Sequence, residues 1–280
     1  LIDPGSTMSS EPLTQERIET DSTYDAGTTT QLMWGARSDV GCVRPHNEDS
    51  YLVQSPLFCV CDGMGGHAAG EVASSIAVET IAKTAPQSAD AARLAAAVEA
   101  ANAAVIEAAL NGLGKPGMGC TATCAYIEND TLAIAHVGDS RAYLLHEGTL
   151  IRVTRDHSYV EELVDAGEIT ADEARVHPNR SVITRALGSD PAMYADHFTL
   201  HIEEGDRLIL CSDGLSSMIP DSDIENIATQ SSTAQICVDN LVDAALAAGG
   251  HDNVTVVVVD LVDDGVMREA QRVRRRNVTI

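Results

Sequence analysis

Asp62, Asp213 and Asp252 share one setting in the sequence. Asp62 ends the apolar run Leu57-Phe58-Cys59-Val60-Cys61 and is followed by Gly63. Asp213 ends Arg207-Leu208-Ile209-Leu210-Cys211-Ser212 and is followed by Gly214. Asp252 follows Gly249-Gly250-His251 and precedes the apolar Val254–Val259. One Asp-Gly pair is an ordinary turn. Three such acids, each abutting an apolar run and far apart in sequence, read instead as one shared oxygen-donor site, to which Glu48, Asp49 and Asp139 can add. Carboxylates without His or Cys suit hard divalent cations such as Mg²⁺ and Mn²⁺, whereas zinc recruits His and Cys. A carboxylate bridging two such ions ~3.5–4 Å apart can hold a water between them, and the ions lower its pKa until hydroxide is available near neutral pH. Such a hydroxide can attack phosphorus in line. Arg44, three residues before Asn47-Glu48-Asp49, carries the planar fork that grips phosphate oxygens in bidentate fashion.

Two other patterns compete for the same residues. Gly63-Met64-Gly65-Gly66-His67-Ala68 fits the dinucleotide-binding form G-x-G-x-x-[GA]. Here, however, the helix that follows leads into another helix. The second parallel strand with an acid about 20 residues on, which ribose binding needs, is missing. Asp62 would also repel a pyrophosphate unless a cation lay between. Gly138-Asp139-Ser140-Arg141-Ala142 nearly matches a nucleophile elbow, but the last glycine is absent and the stretch joins two strands rather than a strand and a helix.

The elements that must place these residues are legible from periodicity. Strands are expected at Leu32–Ala36, Tyr51–Val53, Leu57–Cys61, Thr121–Ile127, Thr131–Val137, Arg141–Leu145, Thr149–Val153, His197–Ile202, Arg207–Cys211 and Val254–Val262. Helices are expected at Ala69–Thr84, from an N-cap at Asp90 through Ala108, at Ser222–Thr229 and at Thr233–Ala247, with Gly249 as a stop. The connections Glu128-Asn129-Asp130, Gly138-Asp139-Ser140 and His146-Glu147-Gly148 are too short for parallel crossovers, so the strands pair as antiparallel hairpins. Helices and strands are segregated rather than alternating, which gives an α+β class with antiparallel sheets. Thr154–Gly188 interrupts the strands with a polar stretch holding short helical patterns at Tyr159–Ala166 and Thr170–Arg175, and reads as a flap.

Composition sets the outer bounds. With 44% apolar residues but only 3% aromatic ones, the core must be built from Ala, Val, Leu and Ile. A net charge of −24 argues against nucleic acid and anionic membrane surfaces as partners. Seven cysteines, mostly inside apolar runs, read as reduced thiols in a cytoplasmic protein; Cys59 and Cys61 share a strand face and pack in the core. No apolar stretch approaches the ~18–20 residues of a membrane span, and no signal peptide is visible. Residues 1–30 read as an unstructured segment, with 1–7 a cloning remnant and Met8 the natural start. Residues 31–263 form the structured domain. Residues 264–280 form a basic tail, with five arginines between Arg268 and Arg276, either a solvated end or a segment next to a membrane anchor in a longer parent.

Six stretches in order carry a resemblance: Arg44-x-x-Asn47-Glu48-Asp49; Val60-Cys61-Asp62-Gly63-Met64-Gly65-Gly66-His67; Gly119-Cys120-Thr121-Ala122-Thr123; Val137-Gly138-Asp139-Ser140-Arg141; Cys211-Ser212-Asp213-Gly214; and Gly250-His251-Asp252-Asn253-Val254-Thr255. Together they resemble the motif set of the bacterial metal-dependent Ser/Thr protein phosphatases of type 2C, across about residues 34 to 260. The resemblance implies a sandwich of two antiparallel β-sheets flanked by helices on both sides, with metals in a cleft at one end. It implies a hydrolase for phosphoserine and phosphothreonine in proteins, acting through a metal-bridging hydroxide. Two Mn²⁺ or Mg²⁺ ions would be held by Asp62, the Gly63 carbonyl, Asp213 and Asp252. Glu48 and Asp49 would act near or through metal-bound water. Asp139 with Asp213 would hold a third ion, Arg44 would bind the substrate phosphate, and 154–188 would be the mobile flap. The substrates would be phosphoproteins, products of a bacterial Ser/Thr kinase, and a monomer is expected. The chain departs from eukaryotic relatives at Met64, where they place a histidine proposed as general acid; a thioether has no proton to donate. Metal-bound water or His67 could take that role, His67 reading foremost as part of the turn.

Overall fold

Residues 22–29, 31–66 and 69–262 are described by the computed structural model. In chain order the first strands are β1 (Ser22–Thr28), β2 (Leu32–Asp39), β3 (Asp49–Gln54) and β4 (Leu57–Met64), followed by helices α1 (Ala69–Thr84) and α2 (Ala91–Leu110). The middle holds β5 (Gly119–Cys120), β6 (Ala122–Glu128), β7 (Thr131–Val137), β8 (Arg141–His146) and β9 (Thr149–Arg152), then α3 (Tyr159–Asp165) and α4 (Ala171–Val176). Next come β10 (Asp196–His201), β11 (Arg207–Cys211), α5 (Asp213–Ser216), α6 (Asp221–Gln230), α7 (Ala234–Ala247) and β12 (Val254–Leu261). One sheet runs β1-β2-β12-β11-β8-β9 and the other β10-β7-β6-β4-β3, with β5 pairing the end of β4. Every strand pair is antiparallel.

Strand alternation builds three apolar layers. Phe58 and Val60 of β4, Leu132 and Ile134 of β7, and Val257 and Val259 of β12 face one another between the sheets. The opposite faces of β4 and β7, with Cys59, Cys61, Ala133 and Ala135, pack on α1 and α2. Val254, Val256 and Val258 of β12 pack on α7 through Leu241, Val242 and Ala245. Ala69, Ala73 and Ala77 form the buried stripe of α1, so this helix lies close to its sheet without aromatic filler. Period-two burial on both faces is why β4 and β12 read as nearly continuous apolar runs. Six of the seven cysteines are buried, and all are free thiols. Among the described residues no helix is long and apolar enough to cross a membrane.

The expectation that residues 1–30 lack structure is corrected by β1, which pairs with β2 from Ser22 to Thr28. β1 is mostly exposed, so no apolar alternation marks it. Backbone pairing holds it instead, with Trp34 lying across Gly27 and the Arg37 guanidinium 5.2 Å over the Tyr24 ring. The second helix matches its expected N-cap, as Asp90 accepts from the Arg93 amide. α5 was not foreseen; at four residues it is too short for periodicity to reveal. Residues 1–21, His67 and the tail 264–280 lie outside the described residues.

The registers gather particular strand ends at one edge of the sandwich. Asp49 opens β3 directly opposite Asp62 on β4. Val137 closes β7, Cys211 closes β11 beside Arg141, and Val254 opens β12 beside Asp39. The loops leaving these ends carry Arg44, Asp139, Asp213 and Asp252.

Candidate metal centre

Cross-strand pairing places Asp49 and Asp62 on the same face of the sheet, since directly opposed residues share a face. Asp213 enters from the other sheet, as the first residue of α5. Asp62 lies near enough to Asp49, Asp213 and Asp139 for the charge of each to bear on its carboxyl. Burial pushes Asp62 well above the usual carboxylate range, and the neighbouring charges of Asp49, Asp213 and Asp139 push it further. Burial likewise raises Asp139, aided by Asp213 and Asp156, and raises Asp213, aided by Asp252. Asp49 is pushed up to about 7 by burial and the charge of Asp213, despite hydrogen bonds that favour its ionised form.

Those bonds form a directed chain. Asp49 Oδ2 accepts from the hydroxyls of Ser212 at 2.8 Å and Thr255 at 2.7 Å. With its own proton on Asp49, Thr255 must accept from Ser38 at 2.7 Å, and Ser38 accepts from the Asn47 amide at 2.8 Å. The other oxygen, Asp49 Oδ1, has no partner, nor have Asp139 Oδ1 and Asp213 Oδ1, although all three are buried. Buried polar atoms are normally paired, and an orphan carboxylate oxygen carries a desolvation cost. Hard, oxygen-only donors held close against their own repulsion fit a divalent cation of the Mg²⁺ or Mn²⁺ type. Among the described residues no three such side chains already form a ready-made cage.

The glycines beside the aspartates serve close approach. A Cβ on Gly63 would lie 2.2 Å from the Gly70 carbonyl oxygen and 2.5 Å from that of Glu48. A Cβ on Gly214 would lie 1.9 Å from the Asn253 carbonyl oxygen. Both positions hold a ligand-bearing segment against its neighbour, and any side chain would wedge them apart.

Asp252 lies at the rim, where its Oδ2 accepts from Arg44 Nη2 at 2.9 Å. The expected phosphate-binding arginine is therefore beside the carboxylates. Arg44 lines a polar cleft of about 580 Å³ together with Gly41, Cys42, His46, Asn47 and Glu71. Glu48 is placed differently from the aspartates. Its carboxylate Oε2 lies against Gly70 at the start of α1, and its backbone does the joining. The Glu48 carbonyl accepts from Gly63 N–H at 3.1 Å and from the Ser74 hydroxyl at 2.7 Å, while its N–H donates to Asn253 Oδ1 at 2.9 Å. Asn253 also donates to the carbonyls of Val40 and His46, both at 2.9 Å, so one buried amide shapes the whole 40–48 loop.

Ser140 is fully buried, with its hydroxyl 2.7 Å from that of Thr121. Thr121 in turn accepts from Asp62 N–H at 2.9 Å. Ser140 thus braces Asp62 and is closed to substrate, which removes the serine-nucleophile reading. The dinucleotide reading falls with the topology, because the strands flanking α1 and α2 are antiparallel. Ser38 and Asp156 were not singled out from the sequence, and Ser212 and Thr255 stood in the motif stretches without a role. The available signal was a polar residue inside an apolar run, as at Thr255 in Val254–Val259, or directly before a site aspartate, as at Ser212.

Comparison with known proteins agrees with this geometry. A family profile for protein phosphatase 2C matches residues 35–254. The chain is 43% identical over 244 residues to the serine/threonine protein phosphatase PstP of Mycobacterium tuberculosis, covering 85% of this chain and 46% of that protein. It thus spans about half the length of that relative. It is 37% identical over 236 residues to the serine/threonine phosphatase stp of Listeria welshimeri, covering 80% of this chain and 94% of the relative. Among solved structures, the catalytic domain of PstP in complex with two manganese ions superposes with a TM-score of 0.77 at 40% identity, over 83% of this chain and 99% of that one.

Proposed function

The chain belongs to the protein phosphatase 2C family, and from that premise we propose that it hydrolyses phosphoserine and phosphothreonine in proteins with Mn²⁺ or Mg²⁺ as cofactor. The observation that carries the reading is the knot of Asp49, Asp62, Asp139 and Asp213, whose charges raise one another and three of which keep a buried oxygen without a partner. The two manganese ions of the mycobacterial relative and the names of both relatives support the same reading.

Asp62 would hold two core cations jointly with Asp213, Asp252 and the Gly63 carbonyl, and Asp139 with Asp213 would hold a third. Cations bound there supply a water acidified toward neutral pH and positive charge for the phosphoryl oxygens. The chain's own residues do the remaining work. Asp49, held by Ser212 and Thr255, stands directly across from Asp62 in the strand pair and adds its charge to the group. Thr121, backed by Ser140, holds the Asp62 backbone amide. Arg44, half-exposed on the cleft and paired with Asp252, presents a fork to a substrate phosphate once Asp252 is engaged elsewhere. Glu48 acts through its backbone and through water rather than as a direct ligand.

The substrates in this reading are phosphoproteins made by a protein Ser/Thr kinase. The site is assembled within a single chain, which supports action as a monomer, and seven free thiols support a cytoplasmic setting. In this reading the catalytic unit runs from β1 to β12, with 154–188 as its flap. The test is turnover of p-nitrophenyl phosphate and of phosphoserine, phosphothreonine and phosphotyrosine peptides, each with Mn²⁺ and with chelator. Mn²⁺-dependent release of phosphate from the first two peptides is expected. Hydrolysis that survives chelation, or none at any metal concentration, would reject the reading in favour of another hydrolase or a binding module on the same fold.

A further inference from the structure

His157 stands where the flap meets the Asp139 turn, and its bonds face both ways. It is 2% exposed. The Gly138 N–H donates to His157 Nδ1 at 3.0 Å, and the His157 N–H donates to the Gly138 carbonyl at 2.8 Å. Because Nδ1 accepts, the ring proton sits on Nε2, which donates to Asp196 Oδ2 at 2.9 Å. Asp196 Oδ1 accepts from Arg185 Nη1 at 2.6 Å, and the Arg185 guanidinium lies 4.1 Å over the Tyr194 ring. The His157 carbonyl also accepts from Thr184 N–H at 2.9 Å, which closes the two ends of the flap on each other. Its neighbour Asp156 grips Arg141, two residues past Asp139, through paired bonds of 3.0 and 2.7 Å. His136 packs against the ring at 5.0 Å between centroids and bonds the Arg155 carbonyl at 2.9 Å.

The turn Gly138–Asp139 is thus bonded to the flap base on both sides, and Asp139 Oδ1 is buried there without a partner. We propose that His157 is a positioning residue that transmits the placement of the flap, received from Arg185 through Asp196, to the Gly138–Asp139 turn, and so sets how firmly Asp139 can hold a cation. The proposal rests on the phosphatase reading only for the role of Asp139; the coupling itself is a statement about the fold. The backbone bond between His157 and Gly138 remains when the ring is replaced, so variants at 157 and 196 keep the loop closed.

The test is a double-mutant cycle on the full chain, read by hydrogen exchange of the Gly138–Arg141 amides and by calorimetric titration with Mn²⁺. Asp196→Ala, which does not touch the turn, raises exchange there by about fivefold, what the loss of one hydrogen bond brings about, and weakens the weakest Mn²⁺ step similarly. In the His157→Asn background, where the amide oxygen can still accept from Gly138 but cannot reach Asp196, adding Asp196→Ala changes neither quantity. Asp196→Asn, which keeps an acceptor for Nε2–H, restores most of the protection. Equal effects of Asp196→Ala in both backgrounds, or none in either, overturn the proposal, with circular dichroism confirming that each variant is folded. Neither readout needs turnover. A wild-type chain that shows the coupling yet hydrolyses no phosphomonoester rejects the phosphatase reading and leaves the coupling standing.

Discussion

Asp49→Asn is expected to make the metal-free protein more stable while ruining its site. Asp49 is buried, and its carboxyl is pushed up to about 7 from an ordinary 3.8. A folded-state pKa raised above the unfolded value means that the native state binds the proton more tightly. The penalty is therefore absent below about pH 4, grows as pH rises, and is complete above about pH 7. At about 1.4 kcal/mol per pH unit, the gap between 3.8 and about 7 is worth about 4 kcal/mol at pH 8. Asparagine removes the charge but keeps one oxygen to accept from Ser212 and Thr255, and its NH₂ takes the place of the unpartnered Oδ1. For a domain of this size 4 kcal/mol corresponds to a melting shift of about 8–16 °C, an upper value that relaxation will reduce. The assay is thermal unfolding in chelator at pH 5 and pH 8. The variant should melt above the wild type at pH 8 and by less than half that margin at pH 5, and should gain less from added Mn²⁺. A variant less stable than wild type by the same margin at both pH values would refute the reasoning, because Asp49 would then be an ordinary hydrogen-bonded carboxylate rather than one held against its neighbours.

Three further outcomes follow from named contacts. Arg44→Ala should raise KM about tenfold with kcat changed less, since a charged hydrogen bond to phosphate worth about 1.5–3 kcal/mol is lost; an unchanged KM in steady-state kinetics would move phosphate binding elsewhere. Asp139→Ala should lower turnover while calorimetry still finds two ions bound, and loss of all Mn²⁺ binding would contradict its place at a separate third position. Gly214→Ala should cost about 2–3 kcal/mol in urea unfolding, because the new methyl would lie 1.9 Å from the Asn253 carbonyl oxygen; a change within about 0.5 kcal/mol would mean that the two loops are not held in contact.

The sequence made the strands and most helices readable because burial on alternate residues writes itself into the order of residue types. β4, β7 and β11 lie within a few residues of their expected ends, and the aspartates near or just past those ends could be marked from sequence. β1 could not be, because its pairing uses backbone groups that every residue carries. The second row of the site was hidden for a different reason. Ser212 and Thr255 reach Asp49 across 163 and 206 residues, and nothing local to either one reports that meeting. Asn253 was visible only as a neighbour of Asp252, whereas its work is to hold the carbonyls of Val40 and His46 in a loop more than 200 residues away. His157 is a further case, because a histidine in a polar stretch gives no sign that Gly138 and Asp196 are its partners. Glycine carried a signal that was easy to misassign. Gly63 is needed less for conformational freedom than because Gly70 and Glu48 leave no room for a Cβ.

The most direct test of the central claim is the number of Mn²⁺ ions bound by chelator-stripped protein, measured by calorimetry with metal analysis, for the wild type and for Asp62→Asn. If Asp62 is shared by two cations, the wild type binds at least two ions per chain with release of protons, and the single change to Asn abolishes tight binding of both. Full stoichiometry retained by Asp62→Asn, or a wild type that binds no Mn²⁺ at millimolar concentrations, would contradict the account.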